Sequence, residues 1–306
     1  MNRYLRSPWL VGAAVMFALL LVPLGAIPAD SATVPSITSI PIQVIHTSDG
    51  SVSYRSDGSG QPLVLIMGYS GSQDDWVPDF VNALATQHRV IIFDNAGIGR
   101  TTMPPGALSV SGMADQTAAL ISALGLKRPD VLGWSMGGMV AQALAVLHPA
   151  DVQRLVLSAT YSGNGKATSP SPANAAALVN AAKTGDTAAI MALIFPADQV
   201  VAQESAYIKG VSGYPNFYPA PEALAVAQHA AIVRWASGAV AAGHGHISAP
   251  TLIGDGADDV MTPPGNVKKM VAEIHGARSV IYPDAGHGFL FQDASAWAAR
   301  INMFLR

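Results

Sequence analysis

Gly133-Trp134-Ser135-Met136-Gly137-Gly138 stands between the short apolar run Asp130-Val131-Leu132 and the Ala-rich, periodic stretch 136–147. The first flank has the length and branching of a buried strand and the second has the spacing of a helix, so the serine falls where one turns into the other. So abrupt a turn forces Ser135 into a strained backbone conformation, and a Cβ at either flanking glycine would collide with it. The hydroxyl is left standing above the sheet, beside the free amides and positive dipole end of the new helix. A pentapeptide Gly-x-Ser-x-Gly arises by chance about 0.2 times in a chain of this size and composition. Here it occurs once, in the one context that gives it chemical meaning.

Outward from this turn, short continuous apolar runs at 62–67, 90–93, 130–132 and 154–158 alternate with helical patterns at 76–86, 109–124 and 136–147. Strands covered on both faces of a parallel sheet need such runs. Two β-like runs at 42–46 and 51–54, separated by Ser48-Asp49-Gly50, read as an opening hairpin. The alternation stops at Ala159. The stretch 159–248 is rich in Ala, Ser, Pro and Gly and predicts helices at 173–184, 187–195 and 221–237, a helical insertion. The sheet pattern resumes with strands at 251–254 and 279–282 and helices at 267–274 and 295–304. The expected organisation is an α/β core over 33–158 and 249–306, interrupted by 159–248.

Serine is a weak nucleophile at neutral pH and needs a base held by an acid. His287 lies in Asp284-Ala285-Gly286-His287-Gly288-Phe289, just past the last strand, where flanking glycines let a loop carry an imidazole across the sheet top. Asp259 lies in Gly254-Asp255-Gly256-Ala257-Asp258-Asp259, one loop beyond another strand end. Open α/β sheets gather their sites at the carboxyl ends of the strands, so Ser135, Asp259 and His287 are expected to converge. Asp255 and Asp258 share the loop and read as turn-capping or solvated groups. Of the other histidines, His148 and His275 end helices and would serve their terminal carbonyls. His244 and His246 have no third ligand of metal spacing nearby. Two backbone amides must hold a developing oxyanion. Met136 supplies one, and Tyr69 in Met67-Gly68-Tyr69-Ser70-Gly71-Ser72 the other, the competing reading being an ordinary Gly/Ser turn.

Half of the 306 residues are apolar, enough for a sizeable core. Lys plus Arg number 17 against 20 Asp plus Glu, and no basic stretch tracks phosphates, so nucleic acid is not an expected partner. The absence of cysteine removes disulfides, thiol nucleophiles and thiolate metal sites. At the N-terminus, Arg3 and Arg6 precede an uncharged apolar run over 9–22, followed by Pro23 and the small residues Ala26, Ala29 and Ala32. This is the layout of a signal peptide over 1–32, the alternative being an uncleaved anchor stretched to Ile27. Export is expected, to the cell envelope or beyond, with membrane contact only if the segment is retained.

The serine turn, the early Gly loop, the turn Asp94-Asn95-Ala96-Gly97-Ile98-Gly99-Arg100, the late Asp and the late His together resemble the α/β-hydrolase superfamily over roughly 42–306. The resemblance implies an eight-stranded, mostly parallel sheet with helices on both faces, a helical cap near 159–248, and no metal or organic cofactor. Two positions depart from it: Met67 where many relatives carry His, and Ala96 where many carry Arg. The first bears on what supports the oxyanion loop. Dehalogenases and epoxide hydrolases carry Asp at the nucleophile position, which Ser135 argues against. The elbow also resembles that of some secreted polyester hydrolases, whose open clefts a cap does not fit. The expected reaction is hydrolysis of a small-molecule carboxylic ester, with Ser135 attacking, His287 shuttling the proton, Asp259 orienting His287, and the Tyr69 and Met136 amides binding the oxyanion. Trp134, Phe195, Tyr207, Tyr214, Phe217, Tyr218 and Trp235 are expected around the substrate. Lactone opening, perhydrolysis and carbon–carbon cleavage use the same apparatus, and a binding protein with an apolar cavity is the alternative from another class.

Overall fold

The computed structural model describes residues 36–215, 218–239 and 246–306. The signal-peptide reading of 1–32, Phe217 of the expected pocket and His244 lie outside the described residues. The strands are β1 (Gln43–Thr47), β2 (Gly50–Asp57), β3 (Pro62–Ile66), β4 (Arg89–Phe93), β5 (Asp130–Trp134), β6 (Leu155–Ser158), β7 (Thr251–Gly256) and β8 (Arg278–Tyr282). They form one sheet in the order β1-β2-β4-β3-β5-β6-β7-β8. β1 and β2 make the expected hairpin, β2 runs antiparallel to β4, and every other pairing is parallel.

The helices are α1 (Pro78–Ala85), α2 (Val110–Ala123), α3 (Met136–Leu147), α4 (Pro172–Thr184), α5 (Thr187–Ile194), α6 (Val200–Val211), α7 (Glu222–Ala236), α8 (Gly265–Glu273), α9 (Phe289–Gln292) and α10 (Ala294–Phe304). None of the described helices is long and apolar enough to cross a membrane. Strand side chains alternate between two cores. Leu63, Leu65, Val90 and Ile92 pack with Trp76, Phe80 and Trp297 on one face. Val64, Ile66, Ile91 and Phe93 pack with Met113 and Val140 on the other. Coverage on both sides is why these strands read as unbroken apolar runs.

After β3 the chain steps outward to β4 and then returns to lay β5 on the opposite flank of β3, with Ile66 paired to Gly133. The loops leaving β3 and β5 therefore diverge from adjacent strand ends and open a crevice between them. One loop carries Tyr69 and the other Ser135.

Helices α4 to α7 all fall between β6 and β7. Three of them match the expected helical stretches, but α6 was not expected. Its residues bury only Tyr207, and its start at Gln199 has no side-chain cap, so the sequence carries neither an apolar stripe nor an N-terminal signal there. β5 also runs two residues past its expected end, through Gly133 and Trp134.

Candidate active site

The site begins with a close approach of backbones. An added Cβ at Gly133 would lie 2.2 Å from the carbonyl oxygen of Gly137, and one at Gly137 would lie 2.0 Å from that of Ile66. Only glycine lets α3 start directly on the end of β5, and the turn places Ser135 at φ 57° and ψ −122°, a sparsely populated region for a residue with a side chain. The strain is held by hydrogen bonds on both sides. The Ser135 amide donates to the Ser158 carbonyl at 2.9 Å, and its carbonyl accepts from the Thr160 hydroxyl at 2.8 Å.

His287 sits in the loop after β8. The Trp134 indole N–H donates to its carbonyl at 3.0 Å, and the amide of Gly288 donates to the Ile194 carbonyl at 2.7 Å, fixing the loop from both ends. The buried imidazole faces Asp259 through Nδ1 at 2.7 Å and Ser135 through Nε2 at 2.9 Å. An ionised carboxylate only accepts, so Nδ1 carries the proton and Nε2 is free to accept the serine hydroxyl.

Asp259 is buried and fully engaged. One carboxylate oxygen accepts the amides of Met261 at 2.6 Å and Thr262 at 2.8 Å, and the other accepts the Thr262 hydroxyl at 2.7 Å and His287. Burial alone pushes such a group upward, but the electrostatic influence of the adjacent His287 and these hydrogen bonds outweigh it and bring the carboxyl down to about 2. Of its two neighbours, Asp258 is exposed. Asp255 is buried, its Oδ1 accepts the amide of Gly256 at 2.8 Å, and burial followed by the charge of Asp259 pushes its carboxyl well up.

The amides of Tyr69 and Met136 make no hydrogen bond among the described residues. Met136 opens α3, and a Cβ at Gly68 would lie 3.2 Å from the Ser135 Cβ, so the Tyr69 loop runs against the nucleophile. With Met67 in place of His, the loop is supported from elsewhere. Asn95 Nδ2 donates to the Met67 carbonyl at 2.9 Å, Asp94 accepts the Gln73 amide at 2.8 Å, and Gln228 Oε1 accepts the Ser70 amide at 2.7 Å.

Two hollows adjoin the Tyr69 loop, and the smaller is lined by Ser135. One, of about 60 Å³, is bounded by Ser135, His287, Met261, Leu178 and His229. The other, of about 150 Å³, is bounded by Trp134, Met191, Ile194, Tyr207 and Asp75. Tyr69 belongs to the walls of both. Trp134 and Tyr207 are therefore at the larger hollow, but other expected pocket residues are elsewhere. Tyr214 is buried, donates to the Trp76 carbonyl at 2.9 Å and lies with its ring 5.0 Å from the Arg55 guanidinium, which pairs with Asp74. Trp235 is fully buried and donates to the Tyr161 carbonyl at 3.2 Å. Phe195 packs against Gly288, and Tyr218 lines neither hollow, although its neighbours Pro219 and Ala220 line the larger one. Aromatic side chains in this segment pack the helices together as often as they face the crevice, and sequence does not separate the two uses. His148 also departs from expectation, since its ring meets Asp115 of α2 at 2.8 Å rather than the terminal carbonyls of α3.

Sequence reading missed Thr262, Asn95 and Gln228. Asn95 and Thr262 lie within or beside the segments singled out, but Gln228 lies inside a helix, where a polar residue reads as solvated, and nothing signalled its burial.

A buried acid, imidazole and strained serine in line, at the carboxyl edge of a sheet with this strand order, define a hydrolase. The family model described as the alpha/beta hydrolase fold matches residues 61–294, and the chain belongs to that family. It is 28% identical over 249 residues to RutD, a proposed carbamate hydrolase of a Caulobacter species, covering 80% of this chain and 90% of that one. It is 43% identical over 110 residues to BpoC, a proposed non-heme bromoperoxidase of Mycobacterium tuberculosis, covering 36% of this chain and 42% of that one. Among solved structures, an alpha/beta hydrolase fold protein from Chitinophaga pinensis superimposes with a TM-score of 0.77 at 23% identity, over 89% of this chain and 99% of that one. The crystal structure of BpoC superimposes with a TM-score of 0.67 at 27% identity, over 85% of this chain and 97% of that one.

Proposed function

We propose that this hydrolase is an exported serine esterase that cleaves carboxylic esters through an acyl-enzyme. The observation that carries the reading is the continuous relay Ser135 Oγ to His287 Nε2 at 2.9 Å and His287 Nδ1 to Asp259 at 2.7 Å. As the Ser135 oxygen bonds to the substrate carbonyl carbon, its proton passes to His287, and the carbonyl oxygen gains charge against the amides of Tyr69 and Met136. Collapse breaks the bond to the alcohol oxygen, which takes the proton from His287. Water repeats the cycle on the acyl-enzyme, returning Ser135 and releasing the acid. Helices α4 to α7 act in this reading as a cap that excludes water and shapes the substrate. Export rests on the sequence of residues 1–32.

The relationship to RutD favours a second reading, carbamate hydrolysis, in which the same attack expels the alcohol to leave a carbamoyl-enzyme and water then releases the carbamic acid. The test is turnover of p-nitrophenyl esters and of matched carbamates by the purified protein beside Ser135→Ala. Serine-dependent ester turnover exceeding carbamate turnover supports the esterase; the reverse order favours the second reading. Ester turnover retained by Ser135→Ala overturns the assignment of the nucleophile.

A further inference from the structure

The hollow that Ser135 and His287 line is small. Its volume of about 60 Å³ is less than half the roughly 150 Å³ of a cavity that holds benzene, so a substrate arm of six carbons cannot end inside it. The leaving oxygen of an ester must take its proton from His287 Nε2, which makes this hollow the start of the alcohol arm's path. The cap walls it with Ala175 and Leu178 from α4 and with His229 and Ile232 from α7.

The same two helices border an open recess of about 430 Å³ on the cap surface, where Pro172, Ala176 and Val179 offer an apolar wall. Lys183, also at the recess, is paired with Glu222 at 3.0 Å. Ala175 and His229 line this recess as well as the hollow of the nucleophile, so both spaces meet at this pair. The cap is thin there. Of the 13 residues of α4 only Ala181 is buried, and Ala175 and His229 are each half-buried. Ala175 contributes a single methyl. The His229 ring has no hydrogen-bond partner among the described residues to hold it across the gap, whereas Gln228 beside it is fully buried and bonded to Ser70.

We propose that Ala175 and His229 frame a passage between α4 and α7 through which the alcohol arm of the substrate leaves the hollow, and that these two side chains determine which alcohols are accepted. The preferred substrates are then esters of linear primary alcohols too long for the hollow, their distal carbons lying in the recess. The His229 ring excludes alcohols that are broad close to the ester. This rests on the esterase reading above.

The test uses the whole protein with methyl acetate, hexyl acetate and methyl heptanoate, the last two being isomers with the long arm on opposite sides of the ester. Ala175→Phe fills the passage, so the ratio of hexyl acetate to methyl acetate in kcat/KM falls about tenfold, while the ratio of methyl heptanoate to methyl acetate holds. General damage lowers all three alike and cancels in the ratios. A loss shared equally by the two long esters, or confined to methyl heptanoate, overturns the assignment to the alcohol arm. Unchanged ratios with Ser135-dependent turnover intact overturn the passage and leave the esterase standing. Absence of Ser135-dependent turnover of all three esters in the wild type overturns both. His229→Ala tests the ring separately: cyclohexyl acetate gains about tenfold on hexyl acetate, whereas an unaltered ratio overturns the part given to His229.

Discussion

Gln228, in the middle of α7, accepts a hydrogen bond from the backbone amide of Ser70 at 2.7 Å. The bond ties a helix inserted between β6 and β7 to the residue after Tyr69, whose loop runs against the nucleophile. Ser70 has φ 61°, so its conformation needs an external hold. Gln228→Leu removes the acceptor and frees the loop. The expected result is a fall in kcat of roughly tenfold or more with a smaller change in KM, since the Tyr69 amide acts mainly in the transition state. Steady-state kinetics beside a thermal melt separates this from unfolding.

Asp259→Asn keeps the shape of the acid and loses its charge. His287 then adopts the wrong tautomer, and kcat falls roughly 10³- to 10⁴-fold. The same variant reports on stability. The carboxyl lies at about 2 in the folded chain against 3.8 for an unperturbed aspartate, so its contribution is complete above about pH 4 and is lost as pH falls toward 2. Denaturant melts from pH 5 to 2 fall more steeply for the wild type than for Asp259→Asn.

Gly137→Ala tests the close approach on which the serine turn depends. The added methyl would lie 2.0 Å from the Ile66 carbonyl oxygen, and backbone has no way to yield locally. The cost is about 4 kcal/mol or more, seen as loss of folded protein or a large drop in Tm.

Asp130 is buried at the start of β5, and burial pushes its carboxyl up to about 6, with Arg154 at 3.6 Å compensating only in part. A folded value above the unfolded one favours the native state below about pH 4 and loses that contribution as pH rises through 6. Asp130→Asn removes this titration, so the stability of the variant relative to the wild type rises from pH 4 to 7, by about 2 kcal/mol. Chemical melts at the two pH values measure it.

The strands, and the three residues Ser135, Asp259 and His287 that hydrogen bonds join, were legible because they lie in short-range patterns. A run such as Leu63 to Ile66 is apolar on both faces whatever lies around it, and Gly133 and Gly137 mark a turn that no other residue makes. The choice of Asp259 over Asp255 depends instead on the shape of a loop, which the bonds from Met261 and Thr262 set and the sequence does not display. Long-range pairings were illegible for the same reason. Nothing near Gln228 announces Ser70, 158 positions away, and nothing near Tyr214 announces Arg55.

The relay from Ser135 to His287 joins residues 152 positions apart. A chain that extends only through β5 and α3 holds Ser135 but lacks His287, which follows β8. In the esterase reading, activity therefore waits until almost the whole sheet is assembled.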